Sequence, residues 1–208
     1  RQRQMCIRDR NILCRNIFMS EQFDEIFDVL VIGSGCGGLT AALTADISNP
    51  AKVLVIEKSH LIGGTSATSG GVIWIPDNHL GKEKGAQDSI SEAKDYLKAT
   101  IPADEFNEPL IDAYLDQGPK MVKFMQDHTD ARYTSLEHYP DYFQDAPGVK
   151  LGNRALEPLP VSADVLGDDV DNLHPSGPQT IVFGRYGVNF EESHAFTTQC
   201  PGWFRLFA

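Results

Sequence analysis

The stretch FDVLVIGSGCGGLTAAL, residues 27–43, decides the fold, because a short apolar run meets a cluster of glycines in it. The run up to Ile32 is continuous and β-branched, which is typical of a strand buried on both faces of a parallel sheet. Beyond the glycines, apolar residues recur at helical spacing up to Ile47, and a second apolar run follows at residues 53–56. We therefore predict a strand, helix, strand unit whose two strands lie parallel in one sheet.

The glycines follow the spacing Gly33-x-Gly35-x-x-Gly38, directly after a predicted strand and at the start of a predicted helix. Gly33 permits a tight turn, Gly35 allows the backbone to approach a pyrophosphate, and Gly38 allows the helix to pack close to the strand. The helix N-terminus offers free N–H groups and a positive dipole to phosphates. This pattern predicts a dinucleotide site; the alternative is a glycine-rich turn that binds nothing.

Two charged residues, Glu57 and Lys58, follow the second predicted strand. A carboxylate at this place can accept both ribose hydroxyls of an adenosine, and its charge would repel a 2′-phosphate, which argues against NADP. The alternative for Glu57 is a solvated acid at a strand end. Lys58 lies along the adenine or faces solvent, and the sequence favours neither.

The next segment, GGTSATSGG at residues 63–71, distinguishes FAD from NAD. It is dense in backbone N–H and hydroxyl groups, which suit a pyrophosphate, a ribityl chain and an isoalloxazine edge. The apolar VIWIP at residues 72–76 follows and is expected to be buried, anchoring the segment. The alternative is a mobile, hydroxyl-rich surface loop.

Helical patterns dominate the region from about 88 to 128, which we interpret as a helical insertion. Ser89 and Glu92 form a capping box ahead of one predicted helix. A second amphipathic face is predicted from Phe106, Leu110, Ile111 and Tyr114, and a third helix from Pro119 to Asp127. Loops and short strands are expected beyond Thr129.

Composition bounds the partners and the location. The formal net charge is -11, which disfavours a nucleic-acid partner. No run reaches the roughly 18–20 apolar residues of a membrane span, so we expect a cytoplasmic protein. Neither the four cysteines nor the six histidines have metal-ligand spacing, so no metal is predicted.

The basic residues 1–18 differ from the rest of the chain, and Met19 resembles a natural start. We expect residues 1–18 to be a non-native leader and residues 19–208 to be the N-terminal part of a nucleotide-binding domain. The alternatives are a genuine disordered leader or a mitochondrial presequence.

From Phe27 to about Phe207 the chain resembles the FAD-binding domain shared by fumarate reductase flavoproteins and 3-ketosteroid dehydrogenases. The strings DVLVIGSGCGGLTAAL, VLVIEK and GGTSATSGGVIWIP carry the resemblance, and the last is similar to the ketosteroid Δ1-dehydrogenase branch. The resemblance implies an α/β fold: a Rossmann-like FAD-binding βαβ unit with a parallel sheet and inserted helices, forming part of an incomplete two-domain flavoprotein. In the succinate dehydrogenase branch a His of the corresponding segment carries the flavin covalently, whereas residues 63–71 contain no His, so the resemblance implies non-covalent FAD.

The cofactor-binding residues that the pattern and the resemblance together predict are Gly33, Ser34, Gly35, Cys36, Gly37, Gly38, Glu57, Lys58, Gly64, Thr65, Ser66, Ser69, Gly70 and Gly71.

The catalytic candidate is Tyr142, in the string HYPDYF at residues 138–143. In ketosteroid Δ1-dehydrogenases a similar Pro-Asp-Tyr places a tyrosine at the steroid pocket, where it helps the proton-abstracting tyrosine. A packing role is the alternative. The string GNRALEP at residues 152–158 also resembles a loop of these enzymes, but it suggests no chemistry.

The resemblance implies a 3-oxosteroid Δ1-dehydrogenase-like enzyme that takes a ketone or steroid substrate and passes electrons to an unidentified acceptor. One alternative is a fumarate reductase-like flavoprotein, whose dicarboxylate substrate requires arginines. The other is a truncated FAD-binding fragment without activity, because proteins of this family are more than twice as long.

Overall fold

The computed structural model describes residues 25–177, 181–182, 186–189 and 192–193, so the predicted leader lies outside the described residues. In chain order the elements are β1 (Val29–Ile32), α1 (Cys36–Ser48), β2 (Val53–Ile56), α2 (Gly64–Thr68), β3 (Ile73–Trp74), α3 (His79–Glu83), α4 (Ile90–Thr100), α5 (Glu108–His128), β4 (Tyr133–Ser135), β5 (Ala155–Pro158), a 3₁₀ segment (Ala163–Asn172), β6 (Ile181–Val182) and β7 (Tyr186–Gly187).

The predicted βαβ unit is confirmed. Strands β1 and β2 pair in parallel, with Val29 opposite Val53 and Ile32 opposite Ile56, and α1 packs against both. Gly33 leaves β1 with a φ of 100°, in the region that favours glycine. A Cβ at Gly38 would lie 2.1 Å from the Gly33 carbonyl oxygen, so only glycine lets α1 approach the turn this closely.

The two parallel strands are not buried on both faces, contrary to the sequence prediction. Alternate side chains on one face are exposed: Leu30 by 56%, Ile32 by 79% and Ile56 by 42%. The reason is that α1 covers one face, whereas no described element forms a layer over the other. A continuous apolar run indicates that both faces of a strand can be buried. Both faces are buried only where a packed element covers each of them.

A second, antiparallel sheet forms the better-packed part of the molecule, with β5 between β3 and β4. Ile73 pairs with Leu156, and Ser135 pairs with the same residue from the other side. The core beneath this sheet contains Ile75, Val122 and Leu156. This sheet therefore holds the segment after residue 71 in place.

The predicted burial of residues 72–76 is only partly correct. Ile75 and Pro76 are buried, Ile73 and Trp74 are half-buried, and Val72 is exposed. Burial increases along the run, because only its end reaches the core, where Ile75 packs with Val122 and Leu156.

The N-cap half of the predicted capping box is confirmed, because the Glu92 backbone N–H donates to Ser89 Oγ at the start of α4. The reciprocal half is not formed, since the Ser89 backbone N–H donates to Asp88 Oδ1 instead of to the Glu92 side chain. The prediction of two separate helices beyond it is wrong: α5 continues from Glu108 to His128 with Pro119 inside. Pro119 removes one helical hydrogen bond, but fully buried Leu115 and Val122 hold the helix to the core on either side of it. Whether α4 and α5 form an insertion in the domain stays a prediction.

The predicted apolar face of the second helix is also displaced. Leu110 is 66% exposed and Tyr114 is 43% exposed, whereas the buried positions are Leu115, Gly118, Val122 and Met125. Because the helix runs on past Pro119, its buried face is set by the longer apolar stripe of its second half.

Candidate functional site

The N-terminus of α1 is an open, positively polarised end. Gly35 is its N-cap, and no acidic residue lies in its first turn. A Cβ at Gly37 would meet nothing within 4 Å, and one at Gly35 would meet only Ser66 Oγ, at 3.9 Å. Space for a ligand therefore lies against the backbone here, as a pyrophosphate requires.

Glu57, at the end of β2, is held beside the glycine turn by hydrogen bonds. Its Oε2 accepts from Ser34 Oγ at 2.6 Å and from Ser34 N at 2.9 Å, and its Oε1 accepts from Ser59 N at 2.9 Å. These bonds, with the Ser34 hydroxyl as the largest contribution, lower the pKa of Glu57 from 4.5 to about 2. The carboxylate is therefore ionised and fixed, as an acceptor for ribose hydroxyls must be.

Ser34 connects three predicted parts of the site. Its buried hydroxyl donates to Glu57 and accepts from the backbone N–H of Gly63 at 2.9 Å. In this arrangement the Ser34 side chain positions the acid and the following segment, while its predicted pyrophosphate contact stays a prediction. Lys58 extends from the same strand end with an exposed side chain.

The segment 63–71 forms a short helix, α2, at its centre, and Ser66 Oγ accepts from the backbone N–H of Cys36 at 3.1 Å. Ser69 Oγ donates to the Ser66 carbonyl and accepts from Gly71 N. The segment thus lies directly against the glycine turn, which argues against the alternative of an independent surface loop.

Not every predicted group of this segment is turned inward. Thr65, Ser69 and Gly70 are exposed, whereas Gly64, Ser66 and Gly71 are half-buried. The resemblance predicts Thr65, Ser66, Gly70 and Gly71 at the flavin side, and this stays a prediction, since two of these residues are exposed and two are half-buried.

An aromatic cavity of about 330 Å³ begins where this segment ends. Val72, the residue after Gly71, lines it, and Trp74 on β3 lines it too. Its other lining residues are Tyr96, Leu97, Thr100, Tyr139, Pro140, Asp141, Tyr142, Phe143 and Ala155. The predicted nucleotide segment is therefore connected along the chain to a cavity wall that the predicted catalytic tyrosine also lines, whereas Ser69 and Gly70 line a separate cavity with Glu157 and Pro158.

Two phenols meet at the mouth of the cavity. The hydroxyl oxygens of Tyr139 and Tyr142 are 3.2 Å apart, and Tyr142 is 79% exposed. The hydrogen bond to Tyr142, together with partial burial, raises the pKa of Tyr139 above its ordinary value. The sequence analysis singled out Tyr142 but missed Tyr139, although both lie in the same string.

Sequence reasoning also missed a buried ion cluster behind the cavity wall. Arg154 Nε and Nη2 donate to the two carboxylate oxygens of Asp88 at 2.9 and 2.7 Å, and Nη1 donates to Asp141 at 2.8 Å. Burial alone would lower the pKa of Arg154, but the two carboxylates raise it. The only signal in the sequence was an arginine directly before an apolar strand, and it does not identify partners 66 and 13 residues away.

Within the part of the chain that the structure describes, no group of three or more His, Cys, Asp or Glu side chains is placed to hold a metal ion. The same residues include no helix with the length and apolar character needed to cross a bilayer.

The comparisons with known proteins agree with this geometry. Residues 28–176 match the family described as FAD binding domain, and the chain therefore belongs to that family of FAD-binding flavoproteins. The predicted fold class and the predicted cofactor, FAD, are thereby confirmed.

The chain is similar to two curated relatives and to one solved structure, among others. The 3-oxosteroid 1-dehydrogenase of Mycobacterium tuberculosis is 42% identical over 151 residues, which are 72% of this chain and 26% of that protein. The 4-oxocyclohexanecarboxylate 2-dehydrogenase of Sinomonas cyclohexanicum is 39% identical over 172 residues, which are 82% of this chain and 29% of that protein.

The solved structure is 3-ketosteroid Δ1-dehydrogenase from Sterolibacterium denitrificans in complex with 1,4-androstadiene-3,17-dione. It superposes with a TM-score of 0.79 at 38% identity, covering 86% of this chain and 31% of that protein. The chain thus spans about a quarter to a third of the length of the relatives that it matches.

Proposed function

We propose that this chain forms the nucleotide-binding part of an FAD-dependent dehydrogenase that acts on a CH–CH bond beside a ketone, with a 3-oxosteroid or a similar cyclic ketone as substrate. The observation that carries the proposal is the direct chain connection between the two parts of the candidate site. The segment that lies on the glycine turn leads at Val72 into a cavity lined by Tyr139 and Tyr142.

The residues fit non-covalent FAD. The open N-terminus of α1 suits the pyrophosphate, because its backbone is unobstructed at Gly35 and Gly37. Glu57 suits the ribose hydroxyls, since it is ionised and held at the end of β2. The exposed groups of Thr65, Ser69 and Gly70 suit the flavin end.

The cavity favours a neutral, apolar ketone. Its described lining contains no Lys, Arg or His, so it offers no cation to a carboxylate. Arg154 lies behind the wall with its guanidinium engaged by two carboxylates, and it is therefore occupied. This argues against a dicarboxylate substrate such as fumarate and favours a steroid over a carboxylated ring such as the one in the name of the Sinomonas relative.

Bound FAD supplies a hydride acceptor at flavin N5. Tyr142 would receive or relay the proton that leaves the carbon beside the ketone, through its hydroxyl oxygen at the cavity mouth. A phenol has an ordinary pKa of about 10, so it needs a hydrogen-bonding partner for this task. Tyr139 provides one at 3.2 Å. The apolar wall formed by Val72, Trp74 and Phe143 would orient the substrate and exclude water.

Two experiments test the proposal. Fluorescence titration of the 208-residue chain with FAD is expected to show binding that Glu57→Gln weakens, and an unchanged affinity in the variant would contradict the ribose role. With the complete protein under anaerobic conditions, a 3-oxosteroid is expected to bleach the flavin absorbance and 4-oxocyclohexanecarboxylate to bleach it far less. Bleaching by the carboxylated ring alone would show that the substrate is a carboxylated cyclic ketone and not a steroid. Reoxidation of the reduced protein by fumarate would show that the enzyme is a fumarate reductase-like flavoprotein instead.

We further propose that the chain alone binds FAD weakly and does not turn over a ketone, because the relatives it matches are several times longer. We also propose that the reduced flavin passes its electrons to an acceptor and that the protein is cytoplasmic. The acidic composition and the absence of paired-cysteine spacing support that location.

A further inference from the structure

We propose that Arg154 is a positioning residue for the phenol pair: its guanidinium holds Asp141, and Asp141 sets the place of Tyr142. The inference rests on the proposed function, since it matters for turnover only if Tyr142 serves the reaction.

Arg154 is built into the wall between the core and the cavity. It is 1% exposed at the start of β5, and its guanidinium lies over the rings of Trp74 and Tyr96 at 5.5 and 5.8 Å. Both rings line the cavity, and Asp141 lines it as well. The cation therefore contacts three of the elements that shape the cavity, without facing a substrate itself.

Asp141 is held through its side chain and its backbone. Oδ1 accepts from Trp74 Nε1 at 2.7 Å, and Oδ2 accepts from Arg154 Nη1 at 2.8 Å and from Lys150 N at 2.9 Å. Its own N–H donates to the Lys150 carbonyl at 2.9 Å. A carboxylate with these bonds leaves little freedom to the backbone at residue 141.

Tyr142 needs that constraint, because its side chain is 79% exposed and has little packing of its own. Its described contact is with Tyr139, through the two hydroxyls and through rings whose centroids are 6.4 Å apart. Its position must therefore come mainly from the backbone, and the adjacent residue is the one that Arg154 clamps.

The two carboxylates of the cluster have different positions in the chain, which separates a positioning role from a purely structural one. Asp88 directly precedes Ser89, the N-cap of α4, and accepts from the backbone N–H groups of Asp77 and Ser89. Unlike Asp141, it does not line the cavity that contains Tyr142. It receives two hydrogen bonds from Arg154, whereas Asp141 receives one. Removing the Asp88 charge should disturb the fold at least as much, while leaving residue 141 hydrogen-bonded to Trp74 and Lys150.

The experiment compares Asp141→Asn with Asp88→Asn as a matched control, in the complete flavin-loaded protein. Asp141→Asn is expected to lower kcat by about tenfold or more with KM changed by less than about twofold, since small misplacements of a reacting group cost this much. Asp88→Asn is expected to lower kcat by less than about threefold, at equal or greater loss of thermal stability. Equal losses of kcat in both variants, or losses that follow stability, would overturn the proposal.

A double-variant comparison supplies the readout that a structural role would not move. If Asp141 acts through Tyr142, Asp141→Asn combined with Tyr142→Phe is expected to be no slower than Tyr142→Phe alone. If the kcat losses of the two single variants multiply in the double variant, Asp141 does not act through Tyr142. If Asp141→Asn does not fold, Arg154→Lys, which keeps the positive charge, takes its place. Combined with Tyr142→Phe, it is then expected to be no slower than Tyr142→Phe alone.

These outcomes also separate this inference from the proposed function. Full turnover by Tyr142→Phe would remove Tyr142 from the reaction and overturn the positioning role, while the dehydrogenase function would stand. No turnover of a 3-oxosteroid or cyclic ketone by the complete wild-type protein would overturn the proposed function itself. A slow Tyr142→Phe variant together with an unaffected Asp141→Asn variant would keep the proposed function and overturn the positioning role alone.

Discussion

Glu57 shows how one charge is fixed by its neighbours. The three hydrogen bonds from Ser34 and Ser59 favour its ionised form, and they lower its pKa from 4.5 to about 2. Because the folded-state pKa is depressed, the stabilisation is fully present above the unfolded-state pKa. It is lost as the pH falls through the folded-state pKa.

The first prediction therefore concerns pH. The free energy of unfolding of the wild-type chain, minus that of Glu57→Gln, is expected to be constant above about pH 4.5 and to shrink toward pH 2. Urea unfolding at a series of pH values measures it. Ser34→Ala, which removes the hydroxyl donor, is expected to make this loss smaller and to end it at a higher pH, because the folded-state pKa of Glu57 moves back toward 4.5. A difference that does not vary with pH would show that these bonds do not favour the ionised form.

The second prediction separates the two adjacent glycines of α1. Gly38→Ala would place a Cβ 2.1 Å from the Gly33 carbonyl oxygen, so we expect destabilisation of about 3 kcal/mol or more. Gly37→Ala meets nothing within 4 Å and gains up to about 1 kcal/mol of helix propensity. Thermal unfolding of both variants measures this.

The same pair bears on FAD binding. Because the space at Gly37 is where a pyrophosphate would lie, we expect Gly37→Ala to retain the fold but to bind FAD more weakly. Unchanged FAD affinity in a folded Gly37→Ala chain would place the phosphates elsewhere.

At the scale of elements, burial on either side of Pro119 compensates α5 for the one hydrogen bond that this proline cannot donate. The helix crosses Pro119 without ending, because Leu115 and Val122 lie fully buried on either side of that residue. Residues 108–114 of the helix, which include Leu110, contribute little to the core.

The third prediction compares one substitution at two positions of this helix. Leu115→Ala is expected to lower the free energy of unfolding by about 2–5 kcal/mol, since a fully buried side chain leaves a cavity. Leu110→Ala, at a position 66% exposed, is expected to change it by less than about 0.5 kcal/mol. Denaturant unfolding of the two variants measures both. Similar losses at the two positions would mean that the helix presents a different face to the core.

At the scale of the whole molecule, the two sheets differ in how well they are covered. The antiparallel sheet lies on a core with fully buried Val122 and Leu156, whereas the parallel pair exposes Leu30, Ile32 and Ile56 on one face. Contiguous exposed apolar side chains promote association.

The fourth prediction follows from that face. The 208-residue chain is expected to bind an apolar dye such as ANS and to self-associate, and Ile32→Thr with Ile56→Thr is expected to reduce both. Leu151→Thr, also at an exposed position, is the matched control and should have a smaller effect. Dye fluorescence and sedimentation velocity measure the two properties. If the control and the double variant reduce dye binding and self-association equally, the exposed face of β1 and β2 is not the surface responsible.

Much of the geometry of the candidate nucleotide site could be predicted from the sequence because its determinants are local. The turn at Gly33 to Gly38, the acid after β2 and the hydroxyl-rich segment lie within about forty consecutive residues. A βαβ unit brings them together by short-range geometry, since parallel strands share one carboxyl edge. The sequence by itself therefore determined the fold class, the family and the cofactor.

Only the tertiary structure decided what depends on distant packing. Three features rest on contacts that no local sequence pattern encodes. They are the ion pairs of Arg154 with Asp88 and Asp141, the pairing of β3 with β5, and the continuation of α5 past Pro119. The exposure of Ile32 is of the same kind, because a strand's composition shows what it can bury and a neighbouring layer determines whether it does.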